Sequence, residues 1–245
     1  MAIDNSLKTS DRLEDIRFST LQSVAIYGFW EKVEITEKVH EELSKLGPEG
    51  KSVLHKAAQF NKLSLVPKEL FTQESLMIKS KANQTVLHIA ASHNDQLRHI
   101  PKEFLTKENL KSKDIESNTV LHMAAYGLGL SLIDQKEIDT DTLLEENIYN
   151  RSPLDLLFHA SSEHLTRSEK IDPLKDKYSK LIKEILDLLP ADKLKEVYRN
   201  QKVRNWKNLE AKKVITKYIA QAIIAKAIPE LKNSNRSTHL NILEV

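Results

Sequence analysis

The sequence predicts an all-α protein, a solenoid of about five repeated units followed by a helical C-terminal extension. Three similar segments, "SVLHKAA", "TVLHIAA" and "TVLHMAA", place their histidines 33 and 34 residues apart. A period near 33 residues is typical of stacked helical repeats. Only 5 Gly and 7 Pro occur among 245 residues, and aromatic residues make up 6%. This composition favours helices over a strand-and-turn architecture.

The composition excludes several classes of protein. The 37 basic and 35 acidic side chains nearly cancel, so the whole molecule has no strong attraction for nucleic acid or anionic membranes. The absence of cysteine excludes disulfides, cysteine-ligated zinc and cysteine nucleophiles. The N-terminal segment 1–16 lacks a secretory signal, and no apolar run is long enough to span a membrane. We therefore expect a cytoplasmic protein.

The repeats are predicted to span residues 17–160, and each copy carries the same helix-start signals. A residue suited to an N-cap lies three positions before the histidine or its equivalent. These residues are Ser19, Ser52, Thr85, Thr119 and Ser152. Pro153 then takes a first helical position, where its missing N–H costs nothing. Tight left-handed turns are expected five positions before the histidine or its equivalent. The residues there are Gly50, Asn83, Ser117 and Asn150.

Together with "SPLDLLF", the three segments resemble the ankyrin-repeat signature, in which Thr-Pro-Leu-His is followed shortly by paired alanines. The resemblance covers more than half of the chain. It implies that each unit is a hairpin finger followed by two antiparallel helices. It also implies structural roles for two groups of residues, helix caps and histidines that join adjacent units by hydrogen bonds. These residues are Thr85 and Thr119, and His55, His88 and His122.

The sequence also departs from that signature. Valine replaces the usual proline in three copies, and the second helix is replaced by "LVPKELFTQESL" and "HIPKEFLTKENL". Pro67 and Pro101 should interrupt a helix there, so we expect a short outer helix, a kink and a second short turn. This divergent pattern resembles ankyrin proteins of bacteria and their phages. It implies an effector or inhibitor, delivered into a host cell in the case of an effector.

The resemblance further implies a protein-binding surface on the finger tips and the concave face, where the first helices are exposed. Carried over by alignment, the partner-binding residues are Gln59, Phe60, Lys81, Gln84, Ser92, His93, Ile115, Glu116, Asn118, Tyr126, Ile148, Tyr149 and Arg151. Phe60, Tyr126, Ile148 and Tyr149 are candidate anchors of an interface. Burial of these four side chains against neighbouring elements is the alternative.

The period is lost after residue 160, where "SSEHLTRSEKIDP" indicates a polar connection. Apolar residues then recur at helical spacing in two sets. These sets are Leu174, Tyr178, Leu181, Ile182, Ile185 and Leu189, ending at Pro190, and Leu209, Val214, Ile215, Tyr218, Ile219, Ile223 and Ile224, ending at Pro229. A shorter helix, "ADKLKEVYRN", is predicted between them. Residues 161–231 should form a cap or partner-binding extension, and residues 232–245 a polar tail.

The sequence predicts no catalytic, metal or cofactor site. Equivalent histidines of stacked units lie about 10 Å apart, one helix diameter, whereas a zinc ion needs ligand atoms within about 2.1 Å. "HEELS" lacks the second histidine of the zinc-protease motif, and five glycines leave little material for a phosphate loop. Two alternatives remain open. Nucleic acid could bind the basic stretch 193–217, and, with less support, the C-terminal third could contain an unrecognised enzyme.

Overall fold

The protein is all-α in a computed structural model that describes residues 18–47, 49–93, 95–126, 128–166, 173–203 and 206–240. Within these ranges there are twelve α-helices and no named strand. No described helix has both the length and the apolarity needed to cross a membrane. The helices are α1 Phe18–Tyr27, α2 Glu37–Leu43, α3 Val53–Gln59, α4 Gln73–Met77, α5 Val86–Ser92, α6 Lys107–Leu110, α7 Val120–Ala125, α8 Thr140–Leu144, α9 Pro153–Thr166, α10 Pro173–Leu188, α11 Ala191–Val203 and α12 Leu209–Leu240.

The chain divides into two compact units, Met1–Pro153 and Leu154–Val245. The predicted boundaries of the N-terminal segment, repeats, extension and tail stay predictions. The first unit contains the three histidine segments, and the second contains most of α9 together with α10 to α12.

The first unit repeats one order of elements three times. A helix of six or seven residues is followed by two 3₁₀ helices and then by a helix of four or five residues. The three long helices are α3, α5 and α7, and the three short ones are α4, α6 and α8. The paired 3₁₀ helices are Leu63–Leu65 and Lys68–Leu70, Gln96–His99 and Lys102–Phe104, and Gly129–Leu132 and Gln135–Glu137.

Proline explains the interrupted second half of each copy. Pro67 and Pro101 stand directly before the second 3₁₀ helix of their copies, with φ near −55° and −58°. Because proline lacks an N–H and fixes φ, a continuous helix cannot pass through these positions without losing a hydrogen bond. The expected interruption of a helix at these prolines is therefore confirmed, and two 3₁₀ helices of three or four residues stand there.

The first helices of successive copies pack side by side, α1 on α3, α3 on α5 and α5 on α7. Their apolar residues form the core of this unit, and the paired alanines keep neighbouring helices close. The residues at most 1% exposed in α3, α5 and α7 include Val53, Leu54, Ala57, Ala58, Val86, Leu87, Ala90, Val120, Leu121, Ala124 and Ala125. The first 3₁₀ helices of successive copies also contact one another.

The second unit differs from expectation at two points. The segment read as a polar connection belongs in its first half to α9, which continues to Thr166 and buries Ser161 and Leu165. Pro229 does not end α12, which continues to Leu240. Residues 167–172 and 241–245 lie outside the described residues.

The predicted stripe of α10 is buried at Tyr178, Leu181, Ile182, Ile185 and Leu189, the last just beyond the helix end. In α12, by contrast, only part of the predicted set is buried. Its buried positions are Ala211, Ile215, Ile219 and Ala222, whereas Leu209 and Ile224 are exposed. Sequence reasoning missed the two alanines because a small residue at helical spacing gives a weak apolar signal.

Candidate functional site

Four tight turns of the same construction precede the helices α3, α5, α7 and α9. They comprise residues 47–51, 80–84, 114–118 and 147–151 and are named fingers 1 to 4. In each, the first residue donates its N–H to the carbonyl of the fifth, and the fourth donates to the carbonyl of the first. The fourth residue has a left-handed backbone, with φ between 53° and 68°. The prediction of left-handed turns at Gly50, Asn83, Ser117 and Asn150 is thus confirmed.

The first residue of fingers 2, 3 and 4 stabilises its turn with a side-chain oxygen. Ser80 Oγ, Asp114 Oδ1 and Asn147 Oδ1 each accept two backbone N–H bonds, from the residues two and four positions further on. Sequence analysis missed these residues. The signal was present, because Ser, Asp and Asn favour this local hydrogen bonding and each stands three residues before the left-handed position.

Backbone hydrogen bonds join each finger to the next at its tip. Lys81 N donates to Gly50 O at 3.0 Å, Ile115 N to Ala82 O at 3.1 Å, and Ile148 N to Glu116 O at 3.1 Å. A side chain at position 50 would collide with Lys81, so this close approach requires the glycine. The four finger tips therefore form one continuous row.

The three predicted structural histidines connect one copy to the next. Nε2 of His55 donates to Gln84 O at 2.8 Å, Nε2 of His88 to Asn118 O at 3.1 Å, and Nε2 of His122 to Arg151 O at 3.0 Å. Each acceptor is the fifth and last residue of the following finger. The histidines thus fasten fingers 2, 3 and 4 to the helix of the preceding copy.

Nδ1 of each histidine accepts a hydrogen bond from the backbone N–H of the residue at the helix N-cap. These donors are Ser52 at 3.3 Å, Thr85 at 3.1 Å and Thr119 at 3.0 Å. Because a carbonyl can only accept, Nε2 carries the proton and the ring is neutral. Burial lowers the pKa of His55 to about 4, although the hydrogen bond to the Gln84 carbonyl acts in the opposite direction and raises it. Burial likewise lowers the pKa of His88 and of His122.

Thr85 and Thr119 occupy the N-caps of α5 and α7 with extended backbones and form capping boxes with the histidines three residues on. Each hydroxyl lies 2.8 Å from Nδ1 of its histidine. A histidine therefore takes the place that Glu or Gln usually has in this motif. Ser52 repeats the arrangement, but Ser19 does not, because α1 begins at Phe18 and Ser19 lies inside it.

Among the described residues, no group of three or more His, Asp or Glu side chains is placed to hold a metal ion. The hydrogen bonds of His55, His88 and His122 use both ring nitrogens. No lone pair of these rings therefore remains for a metal.

The large apolar residues of the predicted binding surface lie in solvent. The exposed fractions are 43% for Phe60, 57% for Tyr126, 58% for Ile148, 59% for Tyr149 and 61% for Ile115. Phe60 and Tyr126 directly follow the helices α3 and α7, whereas the other three lie at the tips of fingers 3 and 4. None of these five side chains is buried within the first unit.

The polar members of the predicted surface are placed less uniformly. Lys81, Ser92 and Arg151 are exposed, and Gln59, Gln84, His93 and Glu116 are half-buried. Asn118 differs from expectation, because it is only 5% exposed. Its side chain donates to Asp114 and Glu116 and accepts from Asn147. Asn118 therefore supports fingers 3 and 4 from within and is not available to a partner.

The basic stretch 193–217 falls on α11 and the start of α12. Two of its lysines form ion pairs with near neighbours, Lys193 with Glu196 and Lys213 with Glu210. Lys195, Arg199, Lys207 and Lys217 are exposed. The side chains of Lys202 and Arg204 lie outside the described residues.

No model of a known protein family and no curated protein matches the chain. A function is therefore inferred from the chain's own residues and their geometry.

Proposed function

We propose that the chain is a non-catalytic, ankyrin-type repeat protein that binds a partner protein through its finger tips and the exposed ends of its first helices. Three features support the repeat type: the recurring order of elements, the left-handed residue of each finger, and the histidines that bridge successive copies. About five stacked units with a helical extension are proposed as the architecture.

The observation that carries the proposal is the exposure of Tyr126, Tyr149, Ile115 and Ile148 on adjoining elements of one unit. Single exposed apolar residues are common on soluble proteins, but several together mark an interaction site. Tyrosine is also enriched among the residues that contribute most to interface affinity. The rigid row of fingers beneath them would hold such residues in fixed positions before a partner arrives.

The proposal is tested by capturing a partner on the immobilised chain from a lysate of the encoding organism, and measuring its affinity. We expect Tyr126→Ala with Tyr149→Ala to weaken that affinity by tenfold or more, on the order of a hot-spot effect. The matched control is Ile224→Ala, which removes an equally exposed apolar residue from α12 in the other unit. An unchanged affinity in the double variant contradicts the proposal.

Nucleic-acid binding by α11 and α12 is the second candidate, favoured by the exposed cations Lys195, Arg199, Lys207 and Lys217. Such binding weakens steeply as salt rises, because bound cations displace counterions from the phosphates. Titration of a labelled duplex and a single strand at two salt concentrations tests it. Binding that is lost in Lys195→Glu with Arg199→Glu would favour this candidate.

A further inference from the structure

Four exposed side chains and the half-buried Glu116 lie at one end of the finger row. These residues are Ile115, Glu116, Tyr126, Ile148 and Tyr149 and are together named the tyrosine surface. The Tyr149 hydroxyl donates to Glu116 Oε1 at 3.0 Å, and Ile148 N donates to Glu116 O at 3.1 Å. Glu116 therefore joins fingers 3 and 4.

The charge of Glu116 is not neutralised by an ion pair with any described residue. Its carboxylate accepts from the Tyr149 hydroxyl and from the Asn118 side-chain amide at 3.2 Å, both uncharged. Asp114 contributes a second carboxylate beneath the finger, whose oxygens accept amide N–H groups. The tyrosine surface thus combines apolar contact area with uncompensated negative charge.

The electrostatic effect is visible at Tyr149. The hydrogen bond to Glu116 raises the pKa of its phenol, and the charges of Glu116 and Asp114 and the nearby Tyr126 raise it further. A cation beside Tyr149 would meet a negative potential and the electron-rich face of its ring.

The opposite end of the row has the opposite charge. Around fingers 1 and 2 lie Lys51, Lys56 and Lys79, and Glu49 in the same part pairs with Lys56. A basic ligand is therefore repelled there and attracted to fingers 3 and 4. A phosphate-bearing ligand has the reverse preference, so nucleic acid does not suit the tyrosine surface.

We propose that the tyrosine surface binds a protein segment that inserts a basic side chain, arginine or lysine, flanked by apolar residues. The inference rests on the proposed function and adds the chemistry of the partner. The inserted cation contacts the Glu116 carboxylate and the rings of Tyr126 and Tyr149, and the apolar neighbours cover Ile115 and Ile148. Arginine suits the site best, because its planar group both stacks on aromatic rings and pairs with a carboxylate.

The experiment selects binders from a displayed library of random twelve-residue peptides, using the full chain as bait. We expect the selected peptides to be enriched in arginine or lysine next to apolar residues. Their dissociation constants are then measured by fluorescence anisotropy for four variants. Tyr126→Ala and Glu116→Gln should each weaken binding about tenfold, Glu116→Lys should abolish it, and Ile224→Ala should leave it unchanged.

Competing outcomes separate the inference from the proposed function. Selected peptides that are acidic or uncharged, yet still require Tyr126 and Tyr149, overturn the inference and leave the proposed function standing. Selected peptides that are indifferent to both tyrosines, or the absence of enrichment, overturn both. Sedimentation velocity of the free chain tests whether it self-associates. A dimer that Tyr149→Ala dissociates makes a second copy the occupant and overturns the inference.

Circular dichroism and thermal melting of each variant provide the folding control. Tyr126, Glu116 and Ile224 lie at or near the surface, so their replacement should leave the fold intact. Tyr149→Phe adds a finer test, because it keeps the ring and removes the hydroxyl that engages Glu116. We expect this variant to bind basic peptides at least as well as the wild type, since the carboxylate oxygen is released to the ligand. Weaker binding by tenfold contradicts the assigned role of Glu116.

Discussion

The imidazole of His88 donates from Nε2 to the carbonyl oxygen of Asn118, 30 residues further along the chain and 3.1 Å away. Both residues are buried, His88 completely and Asn118 to 5% exposure. The same contact links His55 to Gln84 and His122 to Arg151. Each histidine therefore connects a helix to a turn of the next copy, which gives a structural reason for its recurrence.

Replacing His88 with alanine should lower the free energy of unfolding by about 1–3 kcal/mol, because the Asn118 carbonyl and the Thr85 N–H lose a buried partner. His93→Ala is the matched control. That ring is half-buried, and within the described part of the chain its Nδ1 forms hydrogen bonds to Ser92 and Ile89 of its own helix. His93→Ala should lower the free energy of unfolding by at most about 0.5 kcal/mol. Urea unfolding monitored by circular dichroism measures both variants, and equal losses would contradict the bridging role.

The buried neutral form of His55 predicts a loss of stability in acid. Its pKa is about 4 in the folded protein against an ordinary value of 6.5. As pH falls from 6.5 towards 4, the unfolded chain takes up a proton that the folded chain does not, so the free energy of unfolding falls. This difference in pKa corresponds to about 3 kcal/mol in the free energy of unfolding, which is present above pH 6.5 and is lost as the pH falls to 4.

Urea unfolding at several pH values between 7.5 and 4 measures this contribution in the wild type and in His55→Gln. Glutamine retains an amide donor but does not titrate. We expect the variant to be less stable at neutral pH and to show a shallower pH dependence between 6.5 and 4. Parallel curves for the two proteins would exclude His55 as a source of the acid sensitivity.

Removing the Thr85 hydroxyl should cost about 1 kcal/mol, the usual effect of losing an N-cap. Thr85→Ala leaves Nδ1 of His88 with the backbone N–H alone. Thr85→Ser is the matched control, since Ser52 makes the equivalent contact to His55 at 2.7 Å. The serine variant should be close to the wild type in urea unfolding. A serine variant as unstable as the alanine variant would show that the methyl group, and not the hydroxyl, matters.

The regular features of the fold could be predicted from the sequence because they depend on local chemistry. Ser52, Thr85 and Thr119 cap helices, and Pro67 and Pro101 interrupt them, whatever surrounds these residues. Longer-range features could not be predicted in this way. Nothing in the local sequence shows that Asn118 would be buried between Asp114 and Asn147, because that depends on the distance between two fingers.

The end of α12 shows the same limit. Proline is compatible with a helix when neighbouring residues satisfy the rest of the backbone, so Pro229 alone does not fix a helix end. The candidate site was predicted in outline, from the positions of Tyr126, Ile148 and Tyr149. The unpaired charge of Glu116 was not, because pairing between side chains of different copies cannot be read from their spacing.

Ser117→Gly should stabilise the protein by up to about 1 kcal/mol. The backbone of Ser117 is left-handed, with φ of 59°, a conformation that costs residues other than glycine about 1–2 kcal/mol. The lower entropy of the unfolded serine chain offsets part of that gain. Ser64→Gly, in the 3₁₀ helix Leu63–Leu65, is the control and should destabilise the protein. Thermal melting shows whether each variant is more or less stable than the wild type. Destabilisation by both changes would contradict the prediction.

Removal of the chain after residue 165 should cause aggregation or a much lower melting temperature. In the second unit, α9 depends on the helices that follow it. Gln201 donates to Asp155 at 2.7 Å in a buried contact, and His164 stacks on Tyr178 with ring centroids 5.1 Å apart. The shortened chain retains α9 without these partners and exposes apolar side chains.

Leu154, Leu157 and Phe158 are at most 1% exposed in the full chain, and apolar surface returned to water costs roughly 25 cal/mol per Å². A chain that ends at residue 240 is the control and should behave as the full protein does. Light scattering and thermal melting distinguish the two. A shortened chain that stays monomeric and melts with the control would mean that α9 needs no cover. The helices α10 to α12 would then be an independent domain, and nucleic-acid binding by their basic side chains would gain support.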